Sequence, residues 1–393
     1  MSGFLHGIET VEIDSGLRPI QTVRSAVIGI VGTAPAAVAA RFPLDTPVLI
    51  AGSRTEAAAL GTTGTLPRAL DGIFDQAGAV VVVIRVAEGS SEAETLSAVI
   101  GGVDAATEAR TGLQALLDAQ GAVGQVPRLI VAPGFSQNAA VATELVAIAG
   151  RLRGIAIIDG PDSTDADAIA AIAGMGSDRA YLVDPWVKVW DTVANAHAIE
   201  PPSARVAGLI AKMDAEKGFW WSPSNQEIAG IVGTSRQIDF NLYDGTSRGQ
   251  LLNAAKVATI AQVNGWRLMG NRTATVDPNW AFLSVRRTAD MVYESVEKAH
   301  QWALDRPFSA QLLRDIRDGV AAYLRSLEAR GALLGSRVWI DEELNTEATL
   351  KAGQLFIDFD LEPPAPLERL TFRAHRNGDY YEELIAAVGS TQE

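Results

Sequence analysis

Cysteine is absent from this chain of 393 residues, which excludes disulfides, thiolate metal sites and cysteine nucleophiles. Long apolar runs are lacking as well, because the longest, Ala77–Ile84, is too short to span a bilayer and ends at Arg85. The segment Met1–Asp14 has no basic stretch followed by an apolar run, as a secretory signal would have. We therefore expect neither secretion by that route nor membrane insertion.

Motifs for catalysis or cofactor binding are scarce. A Gly-Lys-Ser/Thr phosphate loop does not occur, and Ile28–Thr33 lacks the three-glycine spacing of a dinucleotide-binding turn. The four histidines, which show no metal-ligand spacing, are His6, His197, His300 and His375. We predict no cofactor and no histidine-based metal or catalytic site.

Basic residues are outnumbered by acidic ones, giving a net charge of −14 that argues against a nucleic-acid partner. Within residues 264–338 the sign reverses, with 11 basic and 8 acidic residues. This window is either a mildly basic surface in an acidic protein or a solvated mixture of charges. Hydrophobic residues make up 48% of the chain, so globular domains with sizeable cores are expected.

Short apolar runs alternate with helical stretches from about residue 25 to 220. Near-continuous Val and Ile runs bounded by Gly and Pro predict strands covered on both faces, hence an α/β domain with a largely parallel sheet. The predicted strands are Ala26–Val31, Val48–Ala51, Val80–Val86, Arg128–Ala132, Gly154–Ile158 and Ala180–Val183. The predicted helices include Pro67–Gln76, Gln137–Arg153, Asp165–Met175 and Ser203–Lys217.

The second half has a different order, with helices first and strands after them. Helices are predicted at Gly249–Gln262, Ala289–Asp305 and Ser309–Arg330, and strands at Arg337–Ile340, Gln354–Leu361 and Arg369–Ala374. This order is typical of an α+β domain. We expect a domain boundary near residue 250.

Gly245–Gly249 matches the G-x-S-x-G nucleophile elbow of α/β-hydrolases, with Ser247 as the candidate nucleophile. His300 or His375 could follow as the base, but no loop resembling HGGG supplies an oxyanion hole. Ser247 and Gln250 also fit a helix capping box. We favour the cap, and the hydrolase remains an alternative.

Four carboxylates lie in Asp159–Asp167, directly after a predicted strand, where α/β proteins often bind ligands. Asp162, Asp165 and Asp167 could hold Mg²⁺ or Ca²⁺ in a binding module. Ser163 and Thr164 could instead cap a helix whose first turn is acidic. We favour the cap here too.

Both chain ends have the pattern of strands without local partners. Val11 and Ile13 alternate with acidic residues, and Pro363–Pro366 separates the last strands from the tail Tyr380–Val388. Such ends either fold back on their own domain or donate strands to a neighbouring subunit. The candidate subunit-linking residues are Val11, Ile13, Phe372, Tyr380, Tyr381 and Leu384.

Several stretches resemble the tail sheath proteins of contractile-tailed phages and R-type pyocins, nearly from end to end, and those around Phe219–Asn225 and Trp266–Thr273 are long and unusual. These stretches are Phe4–Gly7, Pro127–Gly134, Ala156–Pro161, Gly218–Ile228 and Gly265–Thr273. The resemblance implies a structural subunit and not an enzyme. Such a subunit polymerises with copies of itself around an inner tube and contracts to drive the tube through a target cell envelope. A related bacteriocin or injection particle is the alternative setting.

The resemblance also implies a layout. Residues 1–20 and 363–393 would be extended arms that enter the sheets of neighbouring subunits. Residues 21–249 would form the outer α/β domain, with two subdomains possible, and 250–362 the tube-facing α+β domain. Other expected partners are the inner tail tube, baseplate and tail terminator proteins. The particle would be a virion or phage-like particle assembled in the host bacterial cytoplasm.

The predicted helix Ser309–Arg330 gives this layout a candidate contact. One face is apolar, formed by Leu312, Leu313, Ile316, Val320, Tyr323, Leu324 and Leu327. Arg314, Arg317 and Arg325 lie on another face at helical spacing. These arginines either contact an acidic tube surface or form a solvated face beside neighbouring carboxylates. We predict the tube contact.

Overall fold

The computed structural model describes residues 19–192 and 194–389. Its central sheet contains the strands β1 (Ile28–Thr33), β2 (Val48–Ala51), β3 (Val80–Val86), β6 (Leu129–Val131), β7 (Ile155–Asp159) and β8 (Ala180–Val183). Their order across the sheet is β2-β3-β1-β6-β7-β8. All neighbours pair in parallel except β2 and β3. The predicted parallel α/β sheet is confirmed, and three of the predicted strands have these bounds.

Helices cover both faces of this sheet, which explains why its strands are apolar throughout. All six residues of β1 are buried, with no alternation of exposed positions. On one face pack α2 (Leu66–Phe74) and α7 (Ser203–Glu216). On the other face pack α3 (Glu92–Ile100), α5 (Ala139–Leu152) and α6 (Asp165–Ala173), together with α8 (Arg248–Ala254).

Shorter elements surround the central sheet. Between β2 and β6 along the chain lie two short helices and a hairpin. The helices are α1 (Arg54–Ala57) and α4 (Ala119–Val123), and the hairpin is formed by β4 (Gly102–Val103) and β5 (Arg110–Thr111). One small sheet has the order β10-β9-β12, from β9 (Val187–Asp191), β10 (Ala196–Glu200) and β12 (Gly233–Thr234). Another has the order β11-β14-β13, from β11 (Gln226–Glu227), β13 (Thr259–Gln262) and β14 (Trp266–Met269).

The helix predicted over Gly249–Gln262 is wrong in its second half. The helix α8 ends at Ala254, Lys256 has a positive φ of 70°, and Thr259–Gln262 forms the strand β13. Pairing with β14 and a bridge from Ala258 to Val183 hold this segment extended. The main-chain N–H of Ala274 also donates to Ala180 O. The domain boundary stays a proposal, and these contacts favour a position nearer 275 than 250.

The last part of the described chain contains α9 (Leu283–Ala299), α10 (Ala310–Ala329), β15 (Gly335–Trp339), α11 (Glu347–Lys351), β16 (Asp358–Glu362) and α12 (Tyr380–Gly389). A separate core joins α9 and α10, with Val292, Val320 and Leu324 among its buried side chains. Both helices predicted for this part are present, but α9 begins and ends six residues before the predicted Ala289–Asp305. The strand predicted at Arg369–Ala374 is not formed, and residues 363–379 contain neither helix nor strand.

Candidate assembly surfaces

Helix α9 is fixed to the α/β layer by buried ion pairs. Arg287 donates two hydrogen bonds to Asp214, at 2.9 and 2.5 Å, and each side chain is 4% exposed. Arg179 donates two more to Asp290, at 2.8 and 2.9 Å. Bidentate guanidinium–carboxylate pairs restrict orientation as well as distance. Helix α9 is therefore held to the α/β layer in a defined orientation.

Also on α9, the Arg286 guanidinium lies 4.2 Å from the ring centroid of Trp280 and donates to Asp290 at 2.8 Å. Arg128, the residue before β6 of the central sheet, is paired with Glu294 on α9. Burial lowers the pKa of the Arg128 guanidinium, and the Glu294 carboxylate opposes that effect. Several charged residues of the predicted basic window 264–338 therefore form ion pairs inside the subunit. The composition of the window did not reveal this pairing.

The strands β15 and β16 form a two-stranded antiparallel sheet beside α10. Gly335 is opposite Glu362 and Trp339 is opposite Asp358. Val338, Phe359 and Leu361 pack against the core of α10, so one face of the sheet is covered. Within residues 19–192 and 194–389, each of these strands pairs along one edge only. Such open edges are templates for strands from another chain.

The segment that follows β16, residues 363–379, is exposed from Leu367 onward. Pro363 is buried, and the guanidinium of Arg272 holds Glu368 at 2.8 and 2.5 Å. Beyond Glu368 every side chain to Asp379 is exposed, including Phe372 at 85%. The segment therefore leaves the body of the subunit with apolar side chains in solvent.

The tail residues Tyr380, Tyr381 and Leu384 are helical, which corrects their prediction as strand. These three residues and Ile385 lie on the helix α12, and all four side chains are exposed. Because Glu, Leu and Ala favour helix, local propensity explains the difference. Their role in linking subunits stays a prediction, and Val11 and Ile13 lie outside the described residues.

The three candidate tube-facing arginines lie on α10, whose opposite face carries the buried Leu312, Tyr323 and Leu324. Arg314 and Arg325 are exposed. Arg317 is half-buried and pairs with its neighbour Asp318 at 2.7 Å. The helix thus presents two arginines to solvent, and their partner stays a prediction.

Ser247 has a structural position instead of a nucleophilic one. It is 4% exposed, and its Oγ donates to Asp244 O at 3.0 Å and accepts from Asn241 N at 3.2 Å. Helix α8 does begin after Ser247, but the side-chain bonds of the predicted capping box are not formed. Gln250 Nε2 donates to Asn241 O instead. Ser247 therefore orders the preceding loop.

Arginines occupy the acidic loop that was a candidate metal site. Asp165 accepts from Arg236 Nη1 at 2.6 Å and from Arg248 Nε at 2.8 Å, and the Arg248 bond lowers the pKa of Asp165. Thr164 caps α6 by accepting from Asp167 N at 3.1 Å. Among the residues that the structure describes, no three carboxylate or imidazole groups converge as a metal site requires.

Three family profiles match this chain. "Phage tail sheath protein central domain" matches residues 108–274, "Phage tail sheath C-terminal domain" matches 275–376, and "Tail sheath protein Gp18 domain III N-terminal region" matches 25–86. A prophage major tail sheath protein of Pseudomonas aeruginosa is 42% identical over 97% of this chain and 99% of its own. The chain belongs to the phage tail sheath family. This sheath protein is a structural subunit of a contractile sheath.

Other relatives agree with this assignment. The tail sheath protein of Escherichia phage P2 is 37% identical to this sheath protein over 99% of it and 100% of the relative. The contracted helical sheath of the anti-feeding prophage has the same fold, with a TM-score of 0.72 at 22% identity over 96% and 100% of the two chains. The contracted PVC sheath complex gives 0.71 at 20% over 97% and 99%.

These likenesses make this sheath protein a component of a virion or a phage-like particle. Its mixed α/β content is that of contractile injection system sheaths. In the described part of the chain, no helix combines the length and apolarity needed to cross a bilayer.

Proposed function

We propose that this sheath protein polymerises with copies of itself around an inner tube and contracts to drive that tube through a target cell envelope. The observation that carries the proposal is the two-stranded sheet β15–β16, whose edges are open beside an exposed C-terminal segment of the same subunit. A segment from one copy fits the open edge of another. The subunit is thereby both donor and acceptor.

Strand addition has the right strength for such a link. Each main-chain hydrogen bond contributes about 0.5–1.5 kcal/mol net, so an added strand supplies a few kcal/mol. Leu370 and Phe372, two positions apart, would face the same side of the added strand. Residues 1–20 would form the second arm, and links through two arms make the lattice multivalent.

Contraction requires rigid bodies with lasting links between them. The buried pairs Arg287–Asp214 and Arg179–Asp290 join α9 to the α/β layer, which supports movement of residues 21–362 as a body. In the described part of the chain, one ion pair, Glu368 with Arg272, joins the segment 363–379 to the body of the subunit. This single anchor supports a connector that bends while its strand stays bound. The outer α/β part would then rotate about links near the tube.

The tube contact is assigned to the exposed face of α10. Arg314 and Arg325 would meet acidic side chains of the inner tube, and Arg317 would exchange Asp318 for the same partner. Exposed pairs of this kind contribute ~0–1 kcal/mol each and are screened by salt. That weakness suits a contact which must release when the sheath contracts.

The remaining partners are the baseplate and tail terminator proteins, which would meet the first and last rings, after assembly in the host bacterial cytoplasm. A related bacteriocin or injection particle would use the same contacts. We also infer that the subunit has no enzymatic activity. The engagement of Ser247 Oγ with two main-chain groups supports this inference.

The proposal is tested by comparing the full chain with a chain that lacks residues 363–393. Negative-stain microscopy should show cylinders of uniform width for the full chain, and sedimentation should show a folded monomer for the truncated one. Phe372→Ser should weaken polymerisation, whereas Arg373→Ser, on the other side of the added strand, should change it by about twofold or less. Long cylinders from the truncated chain would refute strand donation.

A further inference from the structure

The loop 239–247, between β12 and α8, presents two apolar side chains to solvent at its tip. Leu242 is 74% exposed and Tyr243 is 92% exposed. Single exposed apolar residues are ordinary on protein surfaces. This pair, called here the 242–243 tip, differs because the loop around it is extensively hydrogen-bonded.

Hydrogen bonds within the loop hold the tip outward. Asn241 Oδ1 accepts from Tyr243 N at 3.1 Å, and Asp244 Oδ1 accepts from Thr246 N at 2.8 Å and from Thr246 Oγ1 at 2.6 Å. Ser247, whose Oγ bonds two loop main-chain groups, closes the base. The loop is held in place by these hydrogen bonds, although the two side chains of its tip do not pack against the core of the subunit.

The loop is also anchored from outside. Arg248 donates to Asp165 at 2.8 and 3.0 Å and to Gln237 O at 2.7 Å. Phe240 packs against Gly249, where an added Cβ would lie 2.5 Å from the Phe240 ring. These contacts fix the loop beside α6, next to β8, the last strand of the central sheet. The 242–243 tip therefore projects into solvent from a loop anchored to α6.

The chemistry of the tip selects the kind of partner. A protruding tip does not enclose a small molecule, and a chain with a net charge of −14 is repelled by nucleic acid and by anionic membrane surfaces. Two copies of this chain also repel each other, so contacts between them favour apolar side chains over carboxylates. A preordered aromatic side chain binds with little loss of conformational entropy.

We propose that the 242–243 tip docks on a neighbouring copy of this chain in the sheath, as a second contact distinct from the terminal arms. The inference rests on the proposed function, because it requires a homopolymer. In this contact Tyr243 inserts its ring into the neighbour's surface, and Leu242 covers the rim. The contact would fix the lateral spacing of subunits, whereas the arms supply the connection.

The absence of cysteine makes the test direct. Tyr243→Cys introduces a single thiol, whose rate of maleimide labelling is measured in the monomer and in sedimented polymer of the full chain. The rate should fall at least about tenfold on polymerisation, because contact residues are shielded from water. Val103→Cys, on the hairpin β4–β5 where Val103 is 59% exposed, should change by about twofold or less and reports the average shielding by the polymer.

A second measurement covers the case in which the new thiol prevents assembly. Replacing Leu242→Ser and Tyr243→Ser together should raise the critical concentration about tenfold with unchanged circular dichroism, while Tyr243→Phe should assemble as the native chain does. Equal labelling in monomer and polymer, or an unchanged critical concentration, would overturn this inference alone. A native chain that forms no polymer would overturn the proposed function as well.

Discussion

Arg272 and Glu368 are joined by two hydrogen bonds, from Nε to Oε1 at 2.8 Å and from Nη2 to Oε2 at 2.5 Å, across 96 positions of sequence. The Arg272 guanidinium also lies 5.0 Å from the ring centroid of Phe282, and its bond to Glu368 raises the pKa of Arg272. Arg272 belongs to the stretch Gly265–Thr273, which the sequence singled out without a role. It anchors the start of residues 363–393, which we propose as the C-terminal arm.

Loss of this pair should free the arm without unfolding the body. Glu368→Ala should speed tryptic cleavage at Arg369 and Arg373 several-fold, because the segment loses its anchor. The free energy of unfolding should change by less than about 1 kcal/mol, since the pair is partly exposed. Lys351→Ala, which breaks an exposed pair with Glu347, is the matched control. Equal cleavage of native and Glu368→Ala chains would show that the pair does not restrain the arm.

The buried pair Arg287–Asp214 should be far more costly to break. Asp214→Asn leaves a buried guanidinium without its counter-charge, and urea unfolding should show a loss of about 3–5 kcal/mol. Arg153→Ala removes an exposed bidentate pair with Glu297 and should cost less than about 1 kcal/mol. Similar losses in the two variants would mean that α9 is not clamped through Arg287.

Asp159 should make stability depend on pH. Burial raises its pKa from the ordinary 3.8 to about 6, although Ser203 N and Ser136 Oγ, each at 2.8 Å, donate to the carboxylate. A raised folded-state pKa adds stability that is fully present below the unfolded pKa of 3.8 and is lost as pH rises through about 6.

The measurement compares the native chain with Asp159→Asn, which cannot titrate. The difference in unfolding free energy, native minus variant, should increase by roughly 2–2.5 kcal/mol as pH falls from 7 to 4. Thermal melts at each pH provide the comparison, because the other carboxylates titrate equally in both chains. A difference independent of pH would contradict the raised pKa.

Gly270 allows two segments to pass closely. Its φ is +133°, and an added Cβ would lie 2.7 Å from Ala258 Cα, which is main chain and cannot move aside. Gly270→Ala should therefore destabilise the chain by at least about 2 kcal/mol. Gly121→Ala, in α4 with open space around it, should be neutral or stabilising by about 0.5–1 kcal/mol. An unaffected melting temperature for Gly270→Ala would argue against this close approach.

Several elements could be predicted from the sequence because their signal is local. Val48–Ala51, Val80–Val86 and Ala180–Val183 are apolar runs bounded by turn residues, and they form strands with those bounds. Helix α10 follows from its apolar stripe, and its cap Ser309 accepts from Leu312 N at 3.1 Å. The long motifs resembling sheath proteins indicated the family that the comparisons show.

Other features depend on partners distant in sequence. Thr259–Gln262 continues a helical pattern locally, but pairing with β14 makes it a strand. Asp165 looked like a metal ligand until folding brought Arg236 and Arg248 to it from 71 and 83 positions away. The count of basic residues in window 264–338 could not show that Arg286 and Arg287 form ion pairs inside the subunit.

By itself, the sequence determined the type of most elements, the parallel sheet and the family, because hydrophobic period, turn residues and motif identity are properties of neighbouring positions. Only the tertiary structure decided which charges are paired inside the subunit and which segments remain exposed. Burial and ion pairing depend on distances between residues far apart along the chain, and those distances exist only after the layers have packed.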